Sequence, residues 1–146
     1  MNKPANPVET NDNLQEQAMQ RSNTDNAPRS AIHQTLYSTD TFVQHDYLAG
    51  KALPDIARPQ EGQINWLHFV GINDAALLKH ALEPYGIHEL VIEDILSRKQ
   101  RPKIEDYGNY VFTAAQVYHY TTTGKLHSDQ VYVIIGKDFV LSFQQK

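Results

Sequence analysis

Apolar residues in this chain gather into strand-sized and helix-sized groups only after about residue 30. From Met1 to Arg29 the sequence is rich in Asn, Gln, Ser, Thr and Pro, and no aromatic residue occurs before Tyr37. Such a segment cannot bury enough apolar surface to offset the entropy of ordering it, so residues 1–29 are read as a disordered tail. Order is expected from Ser30. Ile32 to Tyr37 has strand character, Ser38-Thr39-Asp40-Thr41 is a turn cluster, and Thr41 to His45 can return as a second strand. Gly50, Pro54 and Pro59 interrupt the stretch from Asp46 to Gly62, which predicts a broken helix and loop. Ile64 to Val70 is a strand centred on Trp66 and closed by Gly71, with Trp66 expected in the core.

The period then changes. Asn73, an early acid at Asp74, and apolar residues at Leu77, Leu78, Ala81 and Leu82 predict an amphipathic helix over Asn73–Tyr85, capped by Asn73 and stopped at Gly86. Leu78 belongs to its buried side. A second helix is expected over His88–Ser97, with Leu90, Val91, Ile95 and Leu96 inward and Glu89, Glu93 and Ser97 outward. Pro102 prevents it from continuing. Three strands follow, at Asn109–Tyr120, Ser128–Gly136 and Phe139–Gln144, the last two joined by a tight turn at Lys137-Asp138. Strands, two helices, then strands predict one α/β domain over residues 30–146, a mixed β-sheet flanked by helices.

Composition narrows the function. There are no cysteines in the 146 residues, which excludes disulfides, thiolate-bound zinc and thiol catalysis. A net charge of −4 argues against a nucleic-acid partner. The longest wholly apolar run, Val131 to Ile135, is far short of the roughly 18–20 residues of a membrane-spanning helix. No signal peptide opens the chain, so it reads as soluble and cytoplasmic. Glycine-rich phosphate loops, a nucleophile elbow and paired metal-binding histidines are all missing from the pattern. The seven histidines are scattered. No enzyme motif is present, and the expectation is a protein that is not an enzyme.

One segment stands apart, Ile87 to Glu105: an amphipathic helix bearing Glu93-Asp94, then the basic turn Arg98-Lys99-Gln100-Arg101-Pro102-Lys103. By spacing alone, Asp94 and Arg98 can form a helix-surface ion pair worth a few tenths of a kcal/mol, about 0.3. Gly86-Ile87-His88, Leu90-Val91, Glu93-Asp94-Ile95-Leu96, Gln100-Arg101-Pro102-Lys103, Glu105 and Asn109-Tyr110-Val111-Phe112 occur in order. Together they resemble the signature of the CorA family of magnesium and cobalt channels, from about Tyr37 to Gln145 and most closely from Trp66 onward. Glu89 stands where that family often has proline, a change expected to leave the helix intact.

The resemblance implies an α/β/α sandwich serving as the cytoplasmic domain of a homopentameric divalent-cation channel at the inner membrane. The long stalk helix, two transmembrane helices and Gly-Met-Asn pore motif of such channels would lie beyond Lys146, so this stretch alone is not expected to conduct. It further implies a weak regulatory Mg2+, with Co2+ or another divalent cation as alternatives, bound between neighbouring subunits. The aspartate that takes part in some members aligns with Asp94, and Glu93 stands beside it. Magnesium suits such a place because it prefers oxygen ligands, keeps several waters and often uses one or two carboxylates. Three other readings stay open: an interaction module that docks partners without sensing metal, the domain of a zinc-transporting family relative, and an enzyme of unrecognised type.

Overall fold

A computed structural model describes residues 30–48, 52–71, 73–97 and 99–144. The expected tail over 1–29 and the expected Asp94 partner Arg98 lie outside the described residues. Seven strands make one mixed sheet: β1 (Ala31–Tyr37), β2 (Phe42–Leu48), β3 (Ile64–Val70), β4 (Lys103–Asp106), β5 (Tyr110–Tyr120), β6 (Leu126–Gly136) and β7 (Phe139–Gln144), ordered β2-β1-β3-β7-β6-β5-β4. Every neighbouring pair is antiparallel except β3 and β7, which run parallel with Leu67 opposite Leu141 and Phe69 opposite Phe143. Helices α1 (Ala75–Leu82) and α2 (Glu89–Ser97) occupy the connection between β3 and β4.

The core sits on one face of this sheet. Strand alternation sends Ile32, Leu67, Phe69, Phe112, Tyr132, Ile134, Leu141 and Phe143 to that face, where they meet Leu78, Leu82, Val91, Ile92 and Ile95 from the helices. Among the described residues both helices lie on this side, so the expected third layer of an α/β/α sandwich is not found there. Trp66 falls on the opposite face. Its even position in β3 puts it beside His68 and away from Leu67, leaving it 43% exposed where burial was expected. Its indole N–H still finds a partner, donating to Ser142 Oγ at 2.9 Å.

Several local expectations shift. β2 extends to Leu48, and the described residues from 52 to 63 contain no helix. The cap of α1 is Asp74, whose Oδ1 accepts from Leu77 N–H at 2.9 Å, one residue later than expected. A single 3-10 turn, Glu83–Tyr85, ends that helix at Gly86, whose φ of +62° needs the freedom of glycine. In α2 the inward residues are Val91, Ile92 and Ile95, while Leu90 is 58% exposed. The connecting stretch from 52 to 63 is tied to β1 by a buried polar network. Gln34 donates to Ala57 O at 2.7 Å and to Asn65 Oδ1 at 2.9 Å, and accepts from the Tyr47 hydroxyl at 3.0 Å. That hydroxyl accepts in turn from Ala57 N–H at 3.0 Å, and Asn65 Nδ2 donates to the Tyr85 hydroxyl at 2.9 Å.

Candidate functional site

The geometry around Asp94 is set at both ends of α2. At its start, the His88 ring nitrogen Nδ1 accepts from Leu90 N–H at 3.1 Å, and His88 N–H donates to the Tyr110 hydroxyl on β5 at 2.9 Å. Glu89 is paired with Lys79 of α1, so the two helices are clipped together where the helix was expected to survive the lack of proline. Each partner holds the other charged: the hydrogen bond and charge of Glu89 raise the basicity of Lys79, and the Lys79 ammonium draws the Glu89 carboxyl below its ordinary range. At the far end, Gln130 of β6 grips the peptide of Gln100: Gln100 N–H donates to Gln130 Oε1 at 3.1 Å, and Gln130 Nε2 donates back to Gln100 O. That clamp turns the basic segment back along the sheet and starts β4.

β4 was missed by strand patterning because its inward positions are charged. Lys103 and Glu105 face the helices across from Ala114 and Phe112, while Ile104 points out. Lys103 Nζ lies 2.7 Å from Asp94 Oδ2 and 3.0 Å from Glu105 Oε2, and sits 5.5 Å from the centre of the Phe112 ring. The Asp94 side chain is 22% exposed and that of Lys103 29%. Hydrogen bonding to Asp94 is the chief cause of the raised basicity of Lys103, against a smaller opposing effect of burial. Asp94 Oδ1 receives no hydrogen bond from a described residue. Glu93 is exposed on the neighbouring side of α2.

Both expected site residues therefore stand on the second half of α2, but not alike. Glu93 is open to solvent, whereas Asp94 is half-hidden and already paired within its own domain. Among the described residues, no three His, Asp or Glu side chains form a group able to hold a metal ion. What α2 offers is one carboxylate edge with an exposed carboxylate beside it. That fits a cation keeping most of its waters and taking its other ligands elsewhere, as Mg2+ can. A second concavity, an open cleft of about 1320 Å³, lies between the 53–63 stretch and the end of α1, with Asp55, Arg58, His80 and Lys137 among its walls. Its charges are mixed.

Residues 61–146 match the family described as CorA-like Mg2+ transporter protein. The chain belongs to the CorA-like family. The matched segment runs from just before β3 through the whole Asp94 site to β7. The cobalt/magnesium transport protein CorA of Thermotoga maritima is 42% identical over 82 residues, which is 56% of this chain and 23% of that protein. This CorA-like chain thus spans about a quarter of that relative's length. The fold is shared with the CorA magnesium transporter of Methanocaldococcus jannaschii, at a TM-score of 0.55 and 12% identity over 77% of this chain and 31% of that one. It is shared also with the ZntB cytoplasmic domain of Vibrio parahaemolyticus, at 0.53 and 10% identity over 79% and 43%. Among the described residues of the CorA-like domain, no helix is long and apolar enough to cross a membrane.

Proposed function

We propose that this chain is the cytoplasmic regulatory domain of a divalent-cation transporter, that it assembles with identical subunits as a pentamer, and that it carries no enzymatic activity. In this reading Asp94, assisted by Glu93, supplies one half of a regulatory Mg2+ site between neighbouring subunits. The observation that carries it is the position of Asp94 within the family-matched segment, on the second half of α2 with Oδ1 unpaired among the described residues. Carboxylates brought together across an interface repel unless a cation lies between them, so bound Mg2+ would hold subunits together and its loss would release them. Family membership and the fold support the transporter assignment; the half-open Asp94 edge supports the sensing role.

The experiment is cation uptake by the full-length protein as intracellular Mg2+ is raised. Asp94→Ala should weaken the closing effect of Mg2+ while leaving the preference among Mg2+, Co2+, Ni2+ and Zn2+ unchanged. Inhibition by Mg2+ that is the same in wild type, Asp94→Ala and Glu93→Ala would sink the sensing role. One observation favours a second reading, an interaction module without metal sensing: Lys103 already neutralises Asp94 inside the domain. Normal assembly of the variants together with unaltered Mg2+ inhibition would select it.

A further inference from the structure

The Asp94 site has an occupant. Lys103 Nζ stands between two carboxylates, 2.7 Å from Asp94 Oδ2 and 3.0 Å from Glu105 Oε2, so those oxygens are under about 6 Å apart. Two oxygens bound to one Mg2+ at about 2.1 Å are at most roughly 4 Å apart, so a small approach of two partly exposed side chains would let them share a cation. All three residues are only partly open to solvent, with Glu105 the most exposed at 40%. The three formal charges sum to −1, and without the ammonium the two carboxylates would face each other at −2.

A separate feature lies beneath them. Tyr132 is fully buried, yet its hydroxyl has no hydrogen-bond partner among the described residues. It occupies the same cross-strand row as Lys103, with only the small side chain of Ala114 between them. Burial, and after it the Asp94 charge, pushes the Tyr132 phenol up. A buried phenol keeps a proton to donate, and an orphaned buried donor suits an ordered water. A hydrated cation brings such waters with it.

Resting on the reading of Asp94 as a metal ligand, we propose that Asp94 and Glu105 form a divalent-cation site that the chain fills with its own Lys103 ammonium. A divalent cation enters by displacing Lys103, with the Tyr132 hydroxyl bonded to a water of the incoming ion. Lys103 is then a tethered competitor that sets how much cation is needed. Glu105, which no sequence pattern singled out as a ligand, is the second carboxylate. The tether weakens cation binding by what the two contacts of Lys103 contribute; two partly screened ion pairs amount to about tenfold.

The test uses Mn2+ as the probe, titrated into the 146-residue chain and followed by electron paramagnetic resonance of the free ion. Lys103→Met should bind Mn2+ about tenfold more tightly than wild type. Adding Asp94→Asn to Lys103→Met should abolish the gain, and adding Glu105→Gln should remove most of it. Thermal unfolding supplies a second readout: Mn2+ should raise the Tm of Lys103→Met more than that of wild type, since a ligand of the folded state stabilises it by mass action. If Lys103→Met does not fold without metal, Lys103→Gln takes its place. Asp94-dependent binding equal in wild type and Lys103→Met would overturn the competitor role alone. Absence of Asp94-dependent binding in both would overturn the site made by Asp94 and Glu105 within one chain, while the Mg2+ inhibition of the full-length protein decides separately whether Asp94 is a ligand between subunits.

Discussion

Replacing Gln34 by Ala removes the central member of the polar network that anchors residues 52–63. Gln34 is 1% exposed, and its amide makes all three of its contacts to groups that are buried or half-buried. Truncation leaves Asn65 Oδ1 without its donor in a site 3% exposed, and such an orphan costs about 1–3 kcal/mol. Ala57 O and the Tyr47 hydroxyl also lose partners, but both are nearer to water and cost about 0.5–1 kcal/mol each. With the lost packing of the side-chain methylenes, the expected destabilisation is about 3 kcal/mol, or a Tm lower by roughly 10 °C. Urea unfolding followed by circular dichroism measures the first quantity. Amide exchange at Ala57, whose N–H is held by the Tyr47 hydroxyl, reports whether the connecting stretch loosens first. In Gln34→Met/Asn65→Leu both buried partners are gone, so the pair should show a coupling of at least about 1 kcal/mol relative to the single variants. A loss below about 1 kcal/mol in Gln34→Ala, or strict additivity in the cycle, would refute the idea that this network anchors the segment.

Two further outcomes are expected. Burial, then the charge of His33, lowers the basicity of His68, so the folded chain binds its proton less readily than the unfolded one. The His68 contribution is fully present above the unfolded value near 6.5 and is lost as pH falls below it; His68→Gln should flatten that part of the stability profile, and an unchanged profile would contradict it. On α2, Ile92→Asp buries an unpaired carboxylate and should cost about 4 kcal/mol or prevent folding, whereas Leu90→Asp should stay within about 0.5 kcal/mol. Denaturant midpoints of the two variants check this, and equal losses would mean that the inward face of α2 is wrongly placed.

The sequence made β3 and β7 legible to the residue, because Gly62 and Gly71 bracket the apolar run of β3 and the Lys137-Asp138 turn opens that of β7. Which face of β3 is buried was not legible: Trp66 and Phe69 fall on opposite faces, and both are large and apolar. Leu90, Val91 and Ile92 are consecutive, so helical spacing fits more than one inward set. β4 escaped because Lys103 and Glu105 take the inward positions and Ile104 the outward one, inverting the usual alternation. Asp94 was reached through family resemblance, and it stands on the second half of α2, partly buried. Its intramolecular partner was not reachable by helix spacing. Lys103 is nine residues on, across a turn whose course is fixed by Gln130 from a distant strand.

The single parallel pairing between β3 and β7 divides the sheet into two antiparallel parts, and this has a consequence for the order of folding. Within each part, neighbouring strands are joined by short turns, except β1 and β3, which have β2 and the stretch up to Gln63 between them; short-turn hairpins form in about 1–10 μs. The seam differs: Asn65 pairs with Phe139, so the whole of α1, α2, β4, β5 and β6 must be closed into a loop before it forms. That closure carries an entropic cost growing with loop length, and nothing along the seam is gained until the ends meet. The β4–β7 part and the β1–β3 part should therefore take shape separately, with Leu67, Phe69, Leu141 and Phe143 joining them late. During synthesis the β3 edge stands unpaired until β7 has emerged, and it is in that interval that the chain is most open to pairing with a wrong partner.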